Sequence, residues 1–514
     1  MGRRAGFGVG AGKAAVEAEF GGGAGVASEM KKVSLFYLLT LLICVAGVWL
    51  VLQEGKRLES RRAAVGQASA GADSAAAFVG TRPAKVDAGL AQTLNDNLKS
   101  PLGRLLIQLI VVVFVARSFG ALATRLGQPA VIGEMIAGIV LGPSVVGSLF
   151  PGASQFLFPA ASLGNLRLLS QIGVVLFMFV VGMEMDVGHL RNRAQTALVV
   201  SHAGIVAPFL LGVVVALALY RETASSKVPF LPFALFIGVA MSITAFPVLA
   251  RIISERQLTK TFLGGTALTC AAVNDVAAWS ILAFVVAVAQ AGSLTGSALT
   301  LLLVAAFAAV MLAVAKPLLS RLPVAWLEPR QGGKGLIAAA LIFLLLCALF
   351  TELIGIHALF GAFLAGVVMP DKASVREHLI ERLESFSTVF LLPIFFAFTG
   401  LRTQIGLLDG WSSWGLCLLV TGTATLGKLG GSLLAARWTG MNWSGAFCLG
   451  ALMNTRGLVE LIVLNIGYDM GILSPTVFAM MVVMALVTTC MTGPLLSLGQ
   501  SWGLERPALK PVTT

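Results

Sequence analysis

Asn274 and Asp275 stand near the middle of one apolar run, AAVNDVAAWSIL, with no other charged residue between 262 and 290. An ionisable side chain that deep in hydrocarbon costs about 2.5–3.5 kcal/mol on insertion scales, so it needs a partner, water or a task. A carboxylate holds a proton or a cation, but hardly both together. That exclusion is all that coupled exchange of the two requires. The plain alternative is a protonated or hydrogen-bonded aspartate that only joins helices.

Three further polar groups interrupt apolar runs. In SITAFPVLAR, Pro247 lacks an N–H and its ring clashes with the carbonyl of Ile243. Ser242 and Thr244 flank that point, and a helix broken there exposes carbonyls able to ligate a dehydrated cation. A simple proline kink is the competing reading. In GALMNTRGLVELIV, Asn454, Thr455, Arg456, Gly457 and Glu460 predict a second interrupted helix. Arg456 and Glu460 share a face if the helix stays wound, and could then be a structural ion pair. In TGTATLGKLGGSLLAA, Lys428 lies mid-run among small residues, either snorkelling to an interface or balancing Asp275.

The elements that must position these residues are membrane helices. Of 514 residues 57% are hydrophobic and only 12% charged, with a mean hydropathy of +0.91. That excludes a soluble protein of this length. From 104 to 498 thirteen apolar segments follow one another, near 104–119, 129–149, 165–185, 194–220, 230–254, 262–290, 297–320, 334–351, 356–370, 384–401, 413–436, 443–467 and 474–498. The ninth is short for a span of about 20 residues. Before them, 1–32 reads as a disordered Gly/Ala-rich segment, 33–52 as an N-terminal transmembrane anchor and 53–103 as a polar external linker; 499–514 is a short cytoplasmic tail.

Charge orients the segments. One set of alternate loops carries Arg125, Arg191, Arg193, Arg256, Lys260, Lys316, Arg321, Arg330, Lys334, Lys372, Arg376, Arg382 and Arg437, and the tail adds Arg506 and Lys510. The other set carries Arg221, Lys227 and Arg402. Basic loops stay in the cytoplasm, which places both termini inside and the protein in the inner, cytoplasmic membrane. The net charge of +12 is therefore a topology signal rather than a nucleic-acid surface. The predicted breaks fall in the fifth and twelfth segments, each followed by one more. Six segments, a linker and six more give the inverted-repeat layout of secondary transporters, with binding where broken helices meet.

Other chemistries lack their parts. Cys44, Cys270, Cys347, Cys417, Cys448 and Cys490 all lie in apolar runs without CxxC spacing. His189, His202, His357 and His378 are scattered, with no HExxH, so neither an enzyme nor a cofactor is indicated. A cation channel and an ion-binding membrane sensor remain as alternatives.

The blocks IGEMIAGIVLGPS, IGVVLFMFVVGMEMD, ITAFPVLARI, VNDVAAW, GIHALFGAFLAGVVMP, LLPIFFAFTGLR and MNTRGLVELIVLNIG occur in this order between 104 and 498. In them the chain resembles the monovalent cation–proton antiporters, in the branch holding bacterial Na+/H+ and K+/H+ exchangers and plant cation/H+ exchangers. The resemblance implies a panel and a six-helix core, usually in a homodimer, moving like an elevator. It implies that Asp275 binds Na+ or K+ in exchange for H+, that Thr244 supplies a backbone ligand, and that Lys428 and Arg456 are the neighbouring basic residues. Glu184 lies in the third-helix block, with Ser242 and Glu460 as further candidates. Asn274 stands where many electrogenic members carry a second aspartate, which favours one-for-one exchange.

Overall fold

The computed structural model describes residues 46–54, 97–98, 100–184, 194–223, 228–258, 261–290, 294–321, 334–355, 357–370 and 372–502, and among these the chain is all-helical. The expectations for 1–45, for most of 53–99 and for 503–514 lie outside the described residues. Of the expected anchor, 46–52 is described, within a helical stretch over 46–54.

Each of the thirteen apolar segments carries helix. In chain order the main ones are α1 (Pro101–Arg125), α2 (Ala130–Leu141), α3 (Leu163–Glu184), α4 (Ala194–Thr223), α5 (Phe230–Ser242), α6 (Phe246–Glu255), α7 (Phe262–Gln290) and α8 (Leu294–Val310). They continue with α9 (Lys334–Leu353), α10 (Ala358–Val367), α11 (Ala373–Phe386), α12 (Leu392–Arg402), α13 (Gly410–Thr425), α14 (Gly431–Trp438), α15 (Trp443–Met453), α16 (Leu458–Asp469) and α17 (Pro475–Ser501). Among the described residues eleven helices are long and apolar enough to cross a membrane, and the bent pair α15–α16 makes twelve. The ninth segment, expected to be short, forms only the ten-residue α10.

Both expected breaks are present. α5 ends at Ser242, residues 243–245 are extended, and Pro247 enters the first turn of α6, where its missing N–H costs nothing. α15 stops at Met453 and α16 resumes at Leu458, bent by 42° across the gap. At that gap Gly457 has φ +158° and ψ −129°, and a Cβ there would lie 2.8 Å from Val248 Cγ2 on α6. Only glycine suits that backbone and that approach.

The helices pack in two groups. α1, α2, α3, α9, α10, α11 and α12 lie against one another, with α2 crossing α12 so closely that a Cβ on Gly138 would meet Ala397 Cα at 2.7 Å. α4 to α7 and α13 to α17 form the other group, around the two breaks. α8 touches α7 on one side and stacks Phe307 on Phe350 of α9 on the other.

Candidate functional site

The two breaks meet backbone to backbone. The Ala245 N–H donates to the Thr455 carbonyl at 3.1 Å, and the Thr244 hydroxyl donates to the Met453 carbonyl at 2.9 Å. α7 lies across this junction and brings Asn274 to it: its amide nitrogen is 3.4 Å from Thr244 Oγ1.

Four carbonyls at the end of any helix lack partners within it. At the end of α5 all four are satisfied by side chains. Val239 accepts from Ser242 Oγ at 2.8 Å. Ala240 and Met241 accept from the two terminal nitrogens of Arg456 at 2.8 and 2.6 Å. Ser242 accepts from Lys428 Nζ. Lys428 also donates to the Gly204 carbonyl at 2.8 Å. That acceptor exists because Pro208, four residues on inside α4, has no N–H to bond it. Lys428 itself sits in a π-helical turn, Leu426–Gly430, a local widening often found at functional sites.

The expectation that the α5 carbonyls would face a cation is thus corrected for residues 239–242. They are capped, Val239 by the Ser242 hydroxyl and the other three by two buried cations. Arg456 lies in the second break rather than on a wound helix face, yet still approaches Glu460 Oε1 at 3.3 Å. The snorkelling alternative for Lys428 fails, because its side chain is fully buried.

Free acceptors remain on α7. Both carboxylate oxygens of Asp275 and the amide oxygen of Asn274 are buried and receive no hydrogen bond from any described side chain. The first N–H of α6, at Phe246, donates to Asp275, and the Lys428 ammonium lies within electrostatic reach of it. Three oxygens on adjacent residues without a side-chain donor suit a proton or a hard monovalent cation, and the helix N-terminus and ammonium beside them stabilise the carboxylate when neither is bound.

Asp275, Asn274, Thr244, Ser242, Lys428, Arg456 and Glu460 are all brought to this junction. Glu184 is not. It is the last residue of α3, exposed, and no hydrogen bond or ion pair among the described residues joins it to Asp275. Several contributors escaped the sequence reading. The Thr489 hydroxyl bonds both the N–H and the carbonyl of Arg456, at 3.2 and 2.9 Å, and Thr492 meets Thr455 at 3.3 Å. Glu134, buried on α2 and 3.6 Å from Arg117, is a further carboxylate within an apolar run, besides Asp275 and Glu460.

The model of the transmembrane sodium/hydrogen exchanger family matches residues 110–498. The Na+/H+ antiporter NhaS4 of Synechocystis is 42% identical over 392 residues, covering 76% of this chain and 96% of that protein. The cation/H+ antiporter 17 of Arabidopsis thaliana is 40% identical over 407 residues, or 78% of this chain; the chain spans only 49% of that plant relative. Among solved structures, the sodium proton antiporter MjNhaP1 of Methanocaldococcus jannaschii aligns with a TM-score of 0.59 and 15% identity, over 79% of this chain and 100% of that one, a likeness of fold. With both breaks, the aspartate between them and a family match across nearly the whole membrane region, the chain belongs to the sodium/hydrogen exchanger family.

Proposed function

We propose that the chain exchanges one monovalent cation, Na+ or K+, for one proton at Asp275 by alternating access. The observation that carries this is the pair of buried Asp275 oxygens without a hydrogen bond from any described side chain. Open to one side, the carboxylate loses its proton and takes a partly dehydrated cation. Asn274 Oδ1 and oxygens of Thr244 complete the shell. Either ligand neutralises the carboxylate, so the helices around the crossover can carry it past the barrier; the bare charge cannot cross cheaply, and leak is suppressed. Lys428 and Arg456 stay bonded to the end of α5 and keep the junction electrostatically tolerable while Asp275 is charged. Asn274, neutral where a second carboxylate would add a second proton, sets the one-for-one ratio.

A channel finds no support. The named relatives are antiporters, and the buried charges at the crossover gather at one junction instead of lining a pore. The basic loops support a location in the cytoplasmic membrane with both termini inside. The sparsely buried spans Pro101–Arg125 and Leu302–Ser320 leave apolar faces for lipid and for a second copy in a homodimer.

The test is fluorescence dequenching in everted vesicles with Na+, K+, Li+ and Rb+ across pH. Asp275→Asn abolishes cation-driven proton movement with every ion if this reading holds. Exchange retained by that variant overturns it.

A further inference from the structure

Asp469 is the last residue of α16, where the carbonyl end of a helix disfavours a carboxylate. Two arginines hold it there. Arg402, at the end of α12, reaches one of its oxygens at 2.6 Å, and Arg167, near the start of α3, reaches the other at 3.1 Å. Arg402 is further fixed by Asn465 Oδ1 at 3.0 Å and lies over the rings of Phe398 and Tyr468, 4.5 and 5.1 Å from their centres. Asn465 in turn donates to Thr399 on α12 at 2.9 Å.

These contacts cross between the two helix groups. α3 and α12 belong to one, and α16, with the crossover, to the other. The ion pairs Arg117–Glu134, Arg251–Glu255 and Arg456–Glu460 each stay within a single group. Beneath the trio runs a narrow cleft between α3, α12 and α16, lined by Ser170, Val174, Phe395 and Ile462. Ile462 is on the second turn of α16, so the cleft leads from the surface toward the second break.

We propose that Arg167, Asp469 and Arg402 form a latch that closes one of the two routes to Asp275, on the face opposite the basic loops. With the latch made, the groups are tied at the cleft mouth and Asp275 is shut off from that side. When the crossover group moves, Asp469 leaves both arginines and the cleft opens. The inference rests on the alternating-access reading above and adds the residues that decide which side is shut.

The test is labelling of Ser170→Cys by a membrane-impermeant maleimide in right-side-out vesicles, with the chain lacking that substitution as blank. Ser170 is buried in the cleft wall, so a cysteine there reacts slowly while the latch holds. Adding Asp469→Asn raises the labelling rate about tenfold as the closed arrangement loses its two ion pairs. Arg167→Ala, which removes only the more exposed arm, gives a smaller rise and serves if Asp469→Asn does not reach the membrane. Equal labelling with and without these substitutions overturns the latch, as does labelling from the opposite face alone. Labelling needs no transport. Failure of exchange to depend on Asp275 would therefore sink the functional reading without touching this result.

Discussion

Lys428 donates to the carbonyl of Gly204, a carbonyl left unpaired in α4 because Pro208 has no N–H to offer it. The same ammonium caps Ser242 at the end of α5. One buried cation thus pins two helices at the crossover, each through a carbonyl that its own helix cannot use. The site is built on this accounting of backbone groups as much as on the aspartate.

Lys428→Met tests that accounting. Methionine fills most of the same volume but leaves the Gly204 and Ser242 carbonyls buried without donors, at about 1–3 kcal/mol each. The thermal midpoint of the purified protein in detergent should fall by several degrees and exchange should be lost. An unchanged midpoint would mean that neither carbonyl depends on the lysine.

Thr489→Val addresses the second break. Valine keeps the shape and removes the hydroxyl that bonds the N–H and carbonyl of Arg456. An orphaned buried N–H costs about 1–3 kcal/mol. Exchange should slow and stability fall, whereas Thr421→Val, whose hydroxyl bonds only its own helix at Cys417, should do neither. Measuring the two variants side by side in vesicles and by thermal unfolding separates junction from general packing.

Gly457→Ala should be among the most damaging small substitutions. The added Cβ meets Val248 Cγ2 at 2.8 Å, and the backbone conformation costs a non-glycine residue about 1–3 kcal/mol besides. Val248→Ala in the same chain removes the collision but leaves the backbone cost. Exchange should recover only in part. Full recovery would show that contact alone governs this position.

Asn274→Asp places a second carboxylate beside Asp275. Two carboxylates carry two protons against one cation, so each cycle moves net charge. Exchange by the variant should respond to an imposed membrane potential in proteoliposomes, and exchange by the parent should not. A parent already driven by voltage would refute the one-for-one ratio.

Much of this was legible in the chain. Asp275 and the two breaks announce themselves because a charge or a proline in an apolar run has few bland explanations. The partners of Lys428 and Arg456 were not legible, since which carbonyl each one caps depends on how α4, α5 and α15 come together. Pro208 was a readable sign that the Gly204 carbonyl is free, but nothing local says who takes it. Thr489 gave no signal, because hydroxyls in apolar helices ordinarily bond their own preceding turn. Glu184 belongs to the third-helix block, and only the fold shows that it falls at that helix's end instead of at the junction. In the sequence Arg402 reads as a loop charge, although it joins two helix groups.

Pro208→Ala is the sharpest test of the opening relationship, because it should separate stability from activity. Alanine restores an N–H at 208, which bonds the Gly204 carbonyl within α4 and removes the helix defect that a proline imposes, about 3 kcal/mol in an ordinary helix interior. Part of that gain is returned, since Pro208 packs against Gly427 in the π-helical turn, where a Cβ on Gly427 would lie 2.8 Å from Pro208 Cα. The thermal midpoint should hold or rise. Exchange should nevertheless fall, because Lys428 then shares Gly204 with a helical donor and is held less firmly over Ser242 and beside Asp275. A variant equal to the parent in both rate and apparent cation affinity would show that α4 does not position the lysine through this carbonyl.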